Sequence, residues 1–156
     1  MLYIADSSLF ILGRRLQGSV ITVPSVLEEL RDEKARTTME LMNVRVELPL
    51  ESFIKEVKAK AKITKDYEEL STTDIHVLAK ALEYSSKDAI LISDDFAIQN
   101  TALQLGIKVM PVAQRRIRDV LIWEKQCIAC KRRFSNGAIC PVCGSTLKKV
   151  RKVRVE

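Results

Sequence analysis

The chain has 156 residues, of which 47% are hydrophobic and 29% charged. That composition excludes an intrinsically disordered chain and allows one ordinary core with a small appendage. The net charge of +6 is concentrated: residues 121–156 hold nine Lys/Arg against two Glu, whereas residues 1–120 carry 17 basic and 18 acidic residues.

No apolar run reaches the length of a bilayer span. The opening MLYIADSSLFILGRR has no basic residue ahead of its apolar stretch, so no signal peptide and no membrane partner are expected and the location read is cytoplasmic. The first 112 residues then alternate short β-like runs with helical patterns, as α/β domains do. Leu2–Ala5 reads as a strand that stops at Asp6, and Ser7 and Ser8 offer caps for a helix through Leu16. Val20–Val23 is a second strand, closed by Pro24, which favours a helix start over Ser25–Asp32. A further helix through Met42 leads to a third strand at Val44–Leu48. Glu51–Ile63 is amphipathic, with Phe53, Ile54, Val57 and Ala61 on one stripe, and Thr64–Leu70 reads as an exposed polar loop. Ser71, Thr72 and Thr73 offer caps for a helix over Asp74–Tyr84. Ala89–Ser93 is a buried-strand pattern ending at Asp94 and Asp95, the helix Phe96–Leu105 stops at Gly106, and Ile107–Met110 supplies the last strand. The predicted fold is α/β: a three-layer domain with a central parallel sheet over residues 1–112, a connector over 113–124, a small ribbon over 125–147 and a basic tail over 148–156.

Asp6, Asp94 and Asp95 follow apolar strands directly, and the C-terminal edge of a parallel sheet is where ligands bind. Asp74 opens a helix, and Glu29 lies about one turn into another. Each acid has a plainer use, since aspartate before a helix caps it and complements its dipole. LYIADSSLFIL, STTDIHVLAKAL up to its lysine, and AILISDDFAIQN carry no basic residue beside their acids, however, and carboxylates gathered without cations repel unless an ion joins them. Oxygen ligands favour Mg²⁺ or Mn²⁺, the ions of phosphodiester hydrolysis. His76, the only histidine, projects away from Asp74 on its helix and reads as structural or surface.

All four cysteines lie in one stretch, Cys127-x-x-Cys130 and Cys140-x-x-Cys143. Two such knuckles supply four thiolates to one tetrahedral ion, structural Zn²⁺ by preference. Asn136-Gly137 between them is a hairpin signal, and Gly144 allows a positive φ after the second pair. Disulfides do not suit a cytosolic chain. A rubredoxin-like iron site is at odds with the surrounding cations. Lys131, Arg132, Arg133 and Phe134 mix phosphate contacts with a stacking ring, and Lys148, Lys149, Arg151, Lys152 and Arg154 extend the basic run. That combination points to RNA.

The acids in LYIADSSLFIL, VPSVLEEL, STTDIHVLAKA and LISDDFAIQN resemble the pattern of PIN-domain nucleases over the whole of residues 1–112. Within that superfamily KAKITKDYEELSTTDIHVLA, LISDDFAIQNTALQLGIKV and the cysteine ribbon look most like the Nin-one-binding-protein family of ribosome-biogenesis endonucleases. The resemblance implies that Asp6, Glu29, Asp74 and one of the paired aspartates hold a Mg²⁺ or Mn²⁺ ion. It favours Asp95, two residues after Ser93, with Asp94 as a second participant and Ser8 as a support for Asp6. It also implies an endoribonuclease that matures the 3′ end of precursor small-subunit ribosomal RNA within a pre-ribosomal particle, among assembly-factor proteins. A catalytically silent RNA-binding assembly factor is the alternative. A toxin nuclease of the same superfamily is a further one, against which the ribbon counts.

Overall fold

The computed structural model describes residues 1–113 and 121–153, with the side chains of 121, 122 and 151–153 left aside. The first part of the expected connector, residues 114–120, and Arg154 therefore lie outside the described residues. Five short strands, β1 (Leu2–Ala5), β2 (Ser19–Thr22), β3 (Arg45–Val46), β4 (Ile90–Ile92) and β5 (Lys108–Met110), form one sheet in the order β3-β2-β1-β4-β5. Every pairing is parallel. Ile4, Ala5, Ile21, Leu91 and Ile92 are buried, as strands covered on both faces must be.

Among the described residues six helices cover the sheet: α1 (Ser7–Ile11), α2 (Pro24–Glu29), α3 (Glu33–Leu41), α4 (Glu51–Thr64), α5 (Thr72–Glu83) and α6 (Phe96–Gln104). α1 packs on α3, whereas α4 and α6 pack on α5. Right-handed crossovers from a sheet of this order place those two groups on opposite faces, which makes three layers. The strand order reverses between β1 and β4, so the C-terminal ends of those two strands flank the switch point.

Some boundaries differ from the sequence reading for local reasons. α1 ends at Ile11 rather than at Leu16, because Gly13 takes a left-handed φ of 66°. The segment after α4 is not an exposed loop. Lys65 ends the helix with a φ of 63°, the chain turns, and Thr64 and Asp66 are 0% and 1% exposed. Asp66 accepts from Thr64 Oγ1 at 2.8 Å and from the Asn100 amide, which replaces its lost water. A 3₁₀ turn over Tyr67–Glu69 follows.

The C-terminal part is a second sheet, β6 (Leu121–Cys127), β7 (Arg133–Phe134) and β8 (Leu147–Val153), in the antiparallel order β7-β6-β8. The expected basic tail is thus a strand as far as Val153, paired with β6 from Cys127↔Leu147 to Leu121↔Val153. Polar contacts among the described residues fasten this sheet to the first domain. Trp123 Nε1 donates to Asp66 Oδ1 at 2.7 Å, Lys149 Nζ lies 2.8 Å from Glu69 Oε1, and Lys65 Nζ donates to the Ser135 carbonyl. Among the described residues no helix is long and apolar enough to cross a membrane.

Candidate functional site

The register of β1 on β4 runs from Tyr3↔Ile90 to Ala5↔Ile92, so the next residues, Asp6 and Ser93, leave the sheet side by side. Ser93 Oγ donates to Asp6 Oδ2 at 3.0 Å, the Ser7 amide donates to Asp6 Oδ1 at 2.7 Å, and Asp6 is only 7% exposed. Ser93 Oγ also accepts from the Asp95 amide at 3.1 Å, which draws Asp95 to the same end of the sheet.

Each of the three aspartates does cap a helix. Asp6 caps α1. Asp74 forms a capping box with Ser71, taking the Ser71 amide at 2.8 Å on Oδ2. Asp95 caps α6, its Oδ1 accepting from the Ala97 and Ile98 amides at 2.8 and 3.1 Å. Capping and gathering are not alternatives here, because the three helix N-termini point to one place and their dipoles favour negative charge there. Glu29 joins from the last turn of α2, its Oε1 accepting from Thr73 Oγ1 at 2.6 Å.

The electrostatics report the gathering directly. Burial lifts the Asp6 carboxyl to about 6, against the pull of its Ser7 and Ser93 hydrogen bonds, and the charges of Asp74 and Asp95 push it the same way. Burial also raises Asp74, with Asp95 and Glu29 as the like charges that it feels. Among the described residues no lysine or arginine forms an ion pair with Asp6, Glu29, Asp74 or Asp95. Beside them Ser8 Oγ is buried without a hydrogen-bond partner.

Asp94 turns elsewhere. Its carboxylate accepts from the Val112 amide at 2.7 Å and from Ala113 at 3.1 Å, so it ties down the end of the first domain. His76 Nδ1 lies 3.4 Å from Ser25 Oγ, a link between α5 and α2.

The four cysteines form a second centre. Among the described residues they are the one set of three or more metal-ligand side chains whose donor atoms all lie within 4.8 Å of one another. Cys127 and Cys143 are 3.3 Å apart at sulfur, Cys130 and Cys140 3.8 Å, and all four are free thiols. A tetrahedron of thiolates about an ion at ~2.3 Å has edges of about 3.8 Å, so the set fits one metal ion. Backbone hydrogen bonding from Ser145 holds the Cys143 thiol down to about 6. Against the lowering pull of Arg132, desolvation and the other thiols push Cys130 up to about 11, so the four thiols do not all ionise without a cation. Both knuckles take a left-handed residue after their second cysteine, Gly144 at φ 76° and Lys131 at φ 63°.

Lys131 and Arg132 are exposed at the ribbon tip, and Lys148 is exposed on β8. Arg133 pairs with Glu124 at 3.6 Å. Phe134, expected as a stacking ring, is half-buried against Cys127, Cys140 and Leu147. Arg151 and Lys152 lie on β8, with their side chains outside the described residues. The reading of the sequence missed Asp66 and Trp123, whose only signals were an acid in a polar segment and the sole tryptophan.

Comparison with known proteins places this geometry among nucleases. A family model described as the PIN domain of ribonuclease matches residues 3–84. Endoribonuclease Nob1 of Archaeoglobus fulgidus is 40% identical over 145 residues, 92% of this chain and 87% of that protein. Ribonuclease VapC1 of Thermoplasma acidophilum is 33% identical over 155 residues, covering 96% of this chain and 78% of the relative. The 20S-pre-rRNA D-site endonuclease nob1 of Schizosaccharomyces pombe is 45% identical over 72 residues, 45% of this chain and 19% of that protein.

Proposed function

From the membership of this chain in the PIN-domain ribonucleases, and within them among the proteins named Endoribonuclease Nob1, we propose that it is a metal-dependent endoribonuclease. Its substrate is precursor small-subunit ribosomal RNA, of which it hydrolyses one phosphodiester bond to mature the 3′ end, in a cytosolic pre-ribosomal particle. The observation that carries this reading is the ring of Asp6, Glu29, Asp74 and Asp95, which has no cationic partner among the described residues.

The donor set fits a hard divalent ion. Asp74 Oδ1 and Asp95 Oδ2 have no protein hydrogen bond among the described residues, and Ser8 Oγ is an orphaned polar atom beside them. Carboxylate oxygens suit Mg²⁺ or Mn²⁺, ions that keep several of their own waters. Asp6, Asp74 and Asp95 would hold the ion, with Glu29 next to them and Ser8 as support. Such an ion, when bound, polarises the scissile phosphate and offsets the charge that builds on it during hydrolysis.

The chain's own residues supply positioning. Asp6 is clamped at both oxygens, by Ser7 and by Ser93, so its carboxylate cannot swing away from the switch point. Thr73 fixes Glu29 against α5, and the α6 N-terminus fixes Asp95. Fixed groups need no rearrangement when charge develops. The four cysteines hold one structural Zn²⁺, and the exposed Lys131, Arg132 and Lys148 offer phosphate contacts.

The deciding experiment is cleavage of an RNA spanning the 3′ end of the small-subunit precursor, with Mn²⁺ present and products mapped to the nucleotide. Wild type should cut once and Asp6→Asn should not. Equal cutting by both proteins, or none by wild type, overturns the reading.

A further inference from the structure

A cleft of about 260 Å³ opens where the end of α4 and the 3₁₀ turn meet the ribbon sheet. Its walls hold two aromatic rings, Tyr67 and Trp123, and four lysines, Lys62, Lys65, Lys125 and Lys149. Against these stand two acids, Glu68 and Glu124, so the lining is net positive; Glu124 is engaged by Arg133 at 3.6 Å and Lys149 by Glu69 at 2.8 Å. Each ring carries an ammonium: Lys62 Nζ lies 5.1 Å from the Tyr67 centroid and Lys149 Nζ 4.8 Å from that of Trp123. Tyr67 is 38% exposed, and Trp123 is held by the bond from its Nε1 to Asp66.

We propose that this cleft is a subsite for single-stranded RNA, in which an unpaired base stacks on Tyr67 or Trp123 while Lys62, Lys125 and Lys149 meet the phosphates on either side. The inference rests on reading the chain as a protein that acts on RNA. Its volume lies just under the range of small-molecule pockets, a size for one base and not for a larger ligand. The lysines over the rings do not block such a base. An exposed cation–π contact contributes about 0.5–1 kcal/mol, whereas a base stacked on an aromatic contributes about 1–3 kcal/mol. The base therefore displaces the ammonium, which stays within reach of the adjoining phosphate. A duplex has no unstacked base to offer, so the cleft selects single strands.

Trp123 is the sole tryptophan, and its emission reports this cleft alone. A fluorescein-labelled oligoribonucleotide of about ten nucleotides, single-stranded or annealed to its complement, is titrated into the full-length protein without added Mg²⁺ or Mn²⁺. Anisotropy follows binding while tryptophan emission follows the cleft. The single strand should quench Trp123 in step with its anisotropy, and the duplex should not. Tyr67→Ala should weaken single-strand affinity about 5-fold or more, the loss of one stack, and leave duplex affinity and the zinc content unchanged. Binding with unaltered emission and an unaffected Tyr67→Ala variant, or equal quenching by duplex, overturns the cleft while leaving RNA action standing. Absence of any RNA binding overturns both.

Discussion

Trp123 Nε1 donates a 2.7 Å hydrogen bond to Asp66 Oδ1 across 57 residues of chain, and this bond joins the cysteine-bearing sheet to the catalytic domain. Asp66 is 1% exposed and also accepts from Thr64 and Asn100, so three donors converge on one carboxylate. Burial raises its carboxyl above the usual range, and hydrogen bonds from Thr64, Trp123 and Asn100 work against the rise. The two parts of the molecule therefore meet at a polar, buried joint.

Removing that joint should be felt in both parts. Asp66→Ala removes the acceptor that Thr64, Asn100 and Trp123 share, and a lost hydrogen bond to a buried carboxylate costs about 1–3 kcal/mol. Some of the donors relax to solvent, so a net destabilisation of roughly 2 kcal/mol is expected. Urea denaturation should show the loss, and the Trp123 emission maximum of the folded variant should move to the red as the indole meets water. Unchanged stability together with unchanged emission would show that the joint contributes little.

The Asp6 carboxyl, lifted to about 6 chiefly by burial, predicts a pH dependence of definite sign. The folded state holds this proton more tightly than the unfolded chain, in which the carboxyl lies near 3.8. The protonated form thus stabilises the fold; that gain is complete below the unfolded value and is lost as pH rises through about 6. Without added divalent ion, stability should fall by on the order of 1 kcal/mol between about pH 5 and pH 7.5. Asp6→Asn should remove that part of the fall, and Mn²⁺ should stabilise wild type more at the higher pH, where the carboxylate is free to accept it. A variant with the same pH profile as wild type would detach the effect from Asp6.

Much of the catalytic domain was legible because its strands are short apolar runs closed by acids or proline, and parallel strands buried on both faces leave that signature. Asp6, Asp74 and Asp95 could be picked out by their places after a strand or before a helix. The pattern also favoured Asp95 over Asp94, and the contacts of the two differ. Asp94 and Asp95 are adjacent in sequence, yet one carboxylate meets the Val112 and Ala113 amides and the other caps α6 beside Ser93. The polar segment Thr64–Leu70 was misread: Asp66 is buried by the ribbon, a partner about 57 residues away that no local pattern announces. Phe134 among cations looked like a binding ring, but it packs half-buried against Cys127, Cys140 and Leu147.

The contrast between the paired aspartates can be measured. Asp95→Asn removes charge from the ring while an amide oxygen can still cap α6, so cleavage should fall about 100-fold or more with little loss of stability. Asp94→Asn should leave cleavage within a few-fold of wild type, because its contacts are with the chain after β5. If Asp94→Asn were the inactive variant and Asp95→Asn the active one, the ring would have been drawn with the wrong acid.

The cysteine centre should hold one metal ion per chain. Cys140→Ser removes a buried ligand whose neighbours Cys127 and Leu147 form the ribbon core. Its bound zinc, read by mass spectrometry of the native protein, should drop from one ion to substoichiometric. RNA affinity should fall with it, because the Lys131–Arg133 segment loses its frame, whereas the parallel sheet has a separate core and should persist. Retention of a full zinc equivalent by Cys140→Ser would remove the tetrahedral assignment.

Salt provides the sharpest test of where the RNA backbone lies. Lys131 and Arg132 are exposed and have no ion-pair partner among the described residues, so they are available for phosphates, whereas Arg133 is held by Glu124. Each contact with single-stranded RNA contributes about 0.7 to the slope of log affinity against log salt. Replacing both residues by alanine should flatten that slope by roughly 1–1.5 and leave quenching of Trp123 at saturation intact. Arg133→Ala should change the slope less, since Arg133 is already paired with Glu124. A slope unchanged by the double variant would move the backbone path off the ribbon tip and onto the cleft and β8 alone.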